Sequence, residues 1–351
     1  MEPELSTTYL GLQLKSPVIV GSCPLTIEPE AVRQMVECGV GAIVLPSILQ
    51  EQIERIELAK TEPLSAMDQT GYQPQHDKYN GGPENYLHRV HELTSQTKVP
   101  IIANMNGATN GDWLDFAKRI EASGADAIEL NVPPVVDDPS RSSEQIESEL
   151  CGIVQRVCDS VSIPVAVKLT QRFTNLSRIT HDLHSAGAAG VVLFAHQPRW
   201  DVCLDRLHWT IRWALTSIDS VAATLEGIVR ARAGDLNLSI AASGGIRNSE
   251  DAMKAMIAGA DAVMVTSEIY REGPDVIRTI VDGMSRYIEL SAYDSIENLR
   301  RSRPPADLGS DRLKRLEYLD PLTRSETYAD PTPVSAPVSG PVSGDRFGHR
   351  T

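Results

Sequence analysis

Gly124-Ala125-Asp126-Ala127-Ile128-Glu129-Leu130, a small-residue stop followed at once by a short apolar run, recurs as Gly41-Ala42-Ile43-Val44-Leu45, Gly187-Ala188-Ala189-Gly190-Val191-Val192-Leu193 and Gly259-Ala260-Asp261-Ala262-Val263-Met264-Val265. Glycine in that place suits the left-handed residue that closes a helix, so each segment reads as helix end, turn and strand. Between them lie Pro17-Val18-Ile19-Val20, Pro100-Ile101-Ile102-Ala103, Pro164-Val165-Ala166-Val167 and Leu238-Ser239-Ile240-Ala241. The two sets alternate strictly. Their continuous apolar character is that of parallel strands covered on both faces. Helical periodicity fills the intervening stretches, at 30–37, 113–122, 146–157, 179–185 and 249–257. Eight such alternations predict a closed (β/α)8 TIM barrel in preference to an open doubly wound sheet.

Working outward, two connections are longer than a barrel needs, 46–97 after the second strand and 195–237 after the sixth, and insertions of that kind build an active-site rim. The organisation read from the sequence is a barrel over 1–300, a charged, Pro-containing appendage or linker over 301–330, and a tail over 331–351. The tail repeats a Pro-Val-Ser unit with no apolar face to bury, which predicts disorder.

Composition excludes several classes of partner. Asp and Glu number 47 against 33 Lys and Arg, a formal charge of -14 that repels nucleic-acid phosphates and anionic lipid. No run approaches the roughly 20 apolar residues of a spanning helix, and the acidic Met1-Glu2-Pro3-Glu4 lacks the order of a signal peptide. Neither nucleic acid nor a membrane is expected as a partner, and a cytoplasmic location is. The cysteines, Cys23, Cys38, Cys151, Cys158 and Cys203, form no CxxC knuckle and read as reduced thiols, with no metal site expected.

In a barrel of this kind chemistry gathers where strands end and the following loops form one mouth. Ser243-Gly244-Gly245 after the seventh strand leads through Asn248 into a helix, and Thr266-Ser267 opens a short helical segment after the eighth. Paired glycines let backbone N–H groups approach an anion, and barrels bind phosphate with these two loops. An ordinary tight turn is the structural alternative. Lys168 ends the fifth strand and places an ammonium in an otherwise apolar and amide-lined mouth, where an unpaired charge is costly. It suits charge developing at the N1/O2 edge of a reduced flavin, or a Schiff base, or a structural pair with Glu129. Ser22, Asn104, Asn106 and Asn131 add a polar half-ring suited to the edge of a flat heterocycle.

These residues resemble the dihydroorotate dehydrogenase family. The resemblance runs over about 8–288 and rests on Tyr9-Leu10-Gly11-Leu12-Gln13-Leu14-Lys15-Ser16-Pro17, Glu129-Leu130-Asn131, Val167-Lys168-Leu169, Ser243-Gly244-Gly245-Ile246 and Tyr270-Arg271-Glu272-Gly273-Pro274. It implies an N-terminal hairpin, FMN as cofactor, and a homodimer. Carried over by position, Ser22, Asn104, Asn131 and Lys168 contact the isoalloxazine, while Ser243, Gly244, Gly245, Thr266 and Ser267 hold the phosphate. The family's Cys or Ser base, three residues beyond the asparagine of Glu-Leu-Asn, falls on Pro134, and its lysine after the second strand falls on Pro46. Its Asn-Ser/Thr pair after the sixth strand falls near Ala195-His196. The implied activity is oxidation of the CH–CH group of a dihydropyrimidine or similar cyclic substrate by hydride transfer to flavin N5, with a soluble electron acceptor. Proton-transfer candidates are His196 first, then Tyr72, His76, Tyr79, Asp137, Asp138 and Ser140. A phosphate-binding Schiff-base lyase and a non-catalytic FMN-binding homologue are the alternatives.

Overall fold

A computed structural model describes residues 5–58, 77–133, 138–217, 220–233 and 237–302. The expected appendage and tail, apart from residues 301 and 302, lie outside the described residues, as do Pro134, Tyr72, His76 and Asp137. Twelve strands are described: β1 (Thr7–Tyr9), β2 (Leu12–Leu14), β3 (Val18–Val20), β4 (Ala42–Leu49), β5 (Ile101–Asn106), β6 (Ala127–Asn131), β7 (Val165–Leu169), β8 (Gly190–Leu193), β9 (Arg199–Cys203), β10 (His208–Arg212), β11 (Ser239–Ser243) and β12 (Ala262–Val265). Eight of them, β3 to β8 with β11 and β12, close into one barrel in sequence order, every neighbouring pair parallel. This is the expected (β/α)8 architecture, and its strands are the eight apolar runs.

The barrel wall separates two apolar regions. Ile43, Ile101, Ile128, Val191 and Ile240 face outward and pack under the helices, among them Pro29–Glu37, Gly82–Gln96, Ser143–Ser160 and Asp275–Leu290. Inside, Ala42, Ala127, Ala166, Ala241 and Ala262 stand among the larger Ile19, Val44, Ile102, Val192 and Met264. The alanines make room for the β1–β2 hairpin, which inserts Tyr9, Leu10 and Leu14 into the same cluster as a plug. The hairpin turns on Leu10 and Gly11, both at positive φ (53° and 77°), the geometry of a two-residue type I′ turn. A Cβ at Gly190 would stand 2.5 Å from Leu10 Cδ2, so the plug fits because β8 begins with glycine there.

Strand β4 continues four residues past the apolar run read from the sequence, through Pro46 to Leu49, with a register shift between Val44 and Ser47 against β5. Proline has no N–H for the ladder, and a bulge is where a sheet tolerates it. The two long connections carry structure of their own. After β4 come the helices Gln50–Leu58 and Asp77–Asn80, and after β8 come the separate two-stranded sheet of β9 and β10 and the helix Ser220–Arg232.

Candidate active site

Lys168 and the glycine pair open into one cavity of about 680 Å³ at the C-terminal ends of the strands. Its wall includes Ser22, Lys168, His196 and the Ser243-Gly244-Gly245 loop, with Thr266 and Ser267 beside them. A larger polar depression, of about 980 Å³, lies at the other end of the barrel against the plug hairpin, lined by Thr8, Gln13, Glu289 and Asp294 among others. The C-terminal mouth is where barrel chemistry sits, and only there do the strand-end residues converge.

Each wall residue is placed by its strand and fixed from behind. The carboxylate Oε1 of Glu129 on β6 accepts from Lys168 Nζ at 3.0 Å and from Asn104 Nδ2 at 2.6 Å. Glu129 is 1% exposed and the Lys168 side chain 11%, so the pair is held inside the barrel with the ammonium at the mouth. Asn104 is wholly buried one layer below the cavity wall, and its Oδ1 and the second Glu129 oxygen are buried with no hydrogen-bond partner. Asn131 is half-buried at the end of β6, paired in register with Asn106 and outside the cavity wall.

The opposite side of the mouth is built from backbone. Gly244 and Gly245 have φ of +105° and +81°. Thr224 Oγ1 donates to the carbonyls of Ser243 (3.2 Å) and Gly244 (2.9 Å), and Phe194 N–H donates to Ser243 O at 2.6 Å, which pins the loop. Asn248 caps the following helix, Ser249–Ala258, by accepting from Asp251 N–H. On the next loop, Ser267 Oγ accepts from Thr216 N–H at 3.1 Å, and Arg271 donates to Thr216 O at 2.7 Å. The connection after β8 is thereby tied to the phosphate-type loop. Gly21 is required by the same crowding, since a Cβ there would lie 2.5 Å from Thr266 Oγ1.

Of the proton-transfer candidates within the described residues, His196 and Tyr79 line the cavity, while Asp138 and Ser140 bond each other at 2.7 Å away from it. His196 follows β8 and Tyr79 is held by Ser47 on β4, four strands away around an eight-stranded ring, so they face each other across the mouth. Desolvation, together with the charges of Arg199 and Lys168, pushes the His196 pKa below the usual value, against a hydrogen bond with Ala214 that raises it. Burial moves Tyr79 the other way, opposed by hydrogen bonds from Ser47 and Ser22. The two shifts are opposite in direction, with His196 favoured in its neutral form and Tyr79 in its protonated one. Cys23, buried in the same wall and hydrogen-bonded by Tyr270, has its thiol pKa raised by desolvation.

Cys23, which follows Ser22 at the end of the first barrel strand, also lines this wall, as do Arg199, Trp213 and Tyr270, to which sequence reasoning gave no place in it. Tyr270 stood within a quoted motif, without a role of its own. Arg199 and Trp213 lie in the long connection after β8, flagged as rim without its residues being distinguished.

The family model for dihydroorotate dehydrogenase matches residues 4–197, which carry the plug hairpin, strands β3 to β8, and Lys168. The chain belongs to the dihydroorotate dehydrogenase family. A protein of Aeropyrum pernix provisionally named dihydroorotate dehydrogenase A (fumarate) is 27% identical over 301 residues, covering 85% of this chain and 97% of its own. The catalytic subunit of dihydroorotate dehydrogenase B (NAD(+)) of Pyrococcus abyssi is 25% identical over 300 residues, 84% of this chain and 97% of its own. The corresponding subunit of Listeria monocytogenes is 26% identical over 308 residues, 85% and 98%. Members of the dihydroorotate dehydrogenase family are oxidoreductases of pyrimidine metabolism that typically bind FMN. The cavity can accommodate that group: its volume lies within the roughly 300–1,000 Å³ of small-molecule sites, and Lys168 and the positive-φ glycine loop line it together. At Gly244 a Cβ would meet only Thr224 Oγ1, at 3.5 Å, so the loop is uncrowded on that side. Among the described residues no cluster of His, Cys, Asp or Glu is arranged to hold a metal, and no helix is long and apolar enough to cross a membrane.

Proposed function

We infer that this chain is an FMN-dependent oxidoreductase acting on the CH–CH group of a dihydropyrimidine or a similar cyclic substrate. One observation carries the reading: a buried-strand ammonium, Lys168, opens into the same cavity as the positive-φ glycine pair and the Thr266-Ser267 hydroxyls. The backbone of Gly244 and Gly245, with Ser243, Thr266 and Ser267, would hold the ribityl phosphate. Lys168 and Ser22 would meet the ring system, Asn131 standing at the adjoining rim and Asn104 acting from below through Glu129. When bound, FMN supplies the hydride acceptor, at N5.

The chain's own residues supply the rest. Lys168 places positive charge where a reduced ring would become anionic. His196, favoured in its neutral form, accepts the substrate proton, and Tyr79 donates a hydrogen bond from the facing wall. The cation aligned with Pro46 is absent, and Arg199 at the mouth makes no ion pair among the described residues, so it is the group available to an anionic substituent. A small-molecule electron acceptor in solution completes the reading. The Schiff-base alternative is disfavoured by the Glu129 contact, which a nucleophilic Lys168 amine would have to give up.

Purification tests this directly. The expected protein is yellow, releases FMN on denaturation, and is bleached by one of a panel of dihydropyrimidines with dihydroorotate tried first. Lys168→Ala is expected to lower FMN retention by tenfold or more, a loss typical of removing a charge-assisted contact. A colourless protein that takes up no added FMN would falsify the reading.

A further inference from the structure

His196 is an exposed side chain at the mouth, just past β8. A histidine ring in that setting turns freely and exchanges its N–H between two nitrogens, so it presents a lone pair to a given side only part of the time. Here the ring is bracketed. The Trp213 ring stands 5.6 Å away, tilted by 47°, and the Ala214 carbonyl accepts a hydrogen bond from the imidazole. A neutral imidazole has one donor and one acceptor. With the N–H given to Ala214, the other nitrogen keeps its lone pair for the cavity that the ring lines.

Burial does not hold the bracket in place. Trp213, Ala214 and Leu215 are all exposed, and they leave β10, a strand exposed over most of its length. Their fixed point is Thr216, whose backbone is gripped on both sides. Its N–H donates to Ser267 Oγ at 3.1 Å, and its carbonyl accepts from Arg271 at 2.7 Å. Ser267 and Arg271 stand four residues apart on the helix Ser267–Glu272 and so share a face. Arg271 is held in turn by the buried carboxylate of Glu268. Because Thr266 and Ser267 lie in the cavity wall at the start of that helix, the grip runs from the phosphate-type loop through Leu215 to the imidazole. Ser267 accepts from Thr216 and keeps its own O–H for an anion, so the two tasks are compatible.

We propose that Arg271 is a positioning residue for His196: by fastening Thr216 to the helix Ser267–Glu272 it fixes the Trp213–Ala214 bracket, and so holds the imidazole in one tautomer and one orientation at the mouth. Its consequence for turnover rests on the reading of His196 as the substrate's proton acceptor; its effect on the ring does not. Lys168 and Arg199 are the charged groups that act on this ring. Neither side chain carries an acceptor, so neither can take the place of the Ala214 carbonyl.

Proton–nitrogen correlation spectra of the histidine rings in the full chain, recorded above the pH at which His196 titrates, test the proposal without turnover. The His196 signals are identified by their loss in His196→Asn. FMN content is measured on the same samples, so a failure of the cofactor reading is seen separately. In the wild type the two His196 nitrogens should show the well-separated shifts of a single tautomer. In Arg271→Met they should converge toward the exchange average, while His88, His91, His181 and His184, on the helices Gly82–Gln96 and Leu176–Ser185, keep theirs. Methionine retains the apolar stem of arginine and the Arg271 side chain is 35% exposed, so the fold should survive, which the melting temperature checks. Averaged His196 shifts in the wild type overturn the proposal without recourse to any variant. So do unchanged shifts in Arg271→Met, or shifts that move together with those of the four helix histidines, since the arginine would then support the fold and not the ring.

Discussion

Lys168 and Glu129 show how one buried pair can serve structure and chemistry together. A lysine at the end of a strand pointing into a barrel carries a desolvation cost that water at the mouth only partly offsets, and Glu129 on the neighbouring strand supplies the counter-charge at 3.0 Å. Asn104 then shares the same carboxylate oxygen, which fixes the geometry from the third strand of the set. Removing one partner of such a pair strands the other charge, at about 3–5 kcal/mol. Glu129→Ala should therefore cost stability in that range by urea unfolding. The double variant Glu129→Leu/Lys168→Met should cost much less than its two single changes together, and additive losses would show that the pair is not coupled. Glu129 could be suspected from the sequence because Glu-Leu-Asn and Val-Lys-Leu sit on adjacent strands. Its link to Asn104 could not, since it depends on register, Asn104 opposite Glu129, that no local pattern encodes.

Elements were legible in the chain to the extent that their signals were local. Seven of the eight barrel strands announced themselves by glycine or proline followed by an apolar run, β11 by its apolar run alone, because a parallel strand buried on both faces has few polar positions to obscure it. The end of β4 did not, because Pro46 normally stops a strand and only a bulge in the pairing with β5 carries the strand on to Leu49. The β9–β10 hairpin was invisible for a different reason: its side chains are exposed on both faces, so no inward-outward alternation marks it. The plug hairpin was read from its resemblance, yet its physical cause lies in residues far along the chain, the small interior side chains and Gly190. A test at this scale is Gly190→Ala. Its Cβ would lie 2.5 Å from Leu10 Cδ2 and 2.8 Å from the Ser239 carbonyl, which belongs to the neighbouring strand and cannot easily give way. The expected loss is about 1–3 kcal/mol, in the range of core overpacking. Leu10→Ala added to it should recover part of that loss, because it removes the movable half of the clash. Equal stability of the wild type and Gly190→Ala would mean that the plug does not sit against β8.

At the scale of the whole molecule the proposed site would work against the field that surrounds it. The chain carries a net charge of -14, and the proposed FMN site would take an anionic phosphate at the Gly244-Gly245 loop, in a cavity that also holds the Lys168–Glu129 pair. Long-range repulsion acts on a phosphate monoester as it approaches, whereas the contacts that retain it act within a few ångströms, where mobile ions screen little. Salt therefore separates the two. The Debye length contracts from about 30 Å at 0.01 M to about 8 Å at 0.15 M ionic strength, so added salt removes the distant repulsion first. The association rate of FMN with apo-protein, followed by quenching of flavin fluorescence, should rise several-fold over that range while dissociation changes little. A protein whose cavity dominated its own field would show the reverse, slower capture with added salt, as electrostatically steered association does. A fall in rate would thus locate enough local positive charge at the mouth, from Lys168, Arg199 and the glycine-loop N–H groups, to outweigh the charge of the whole chain.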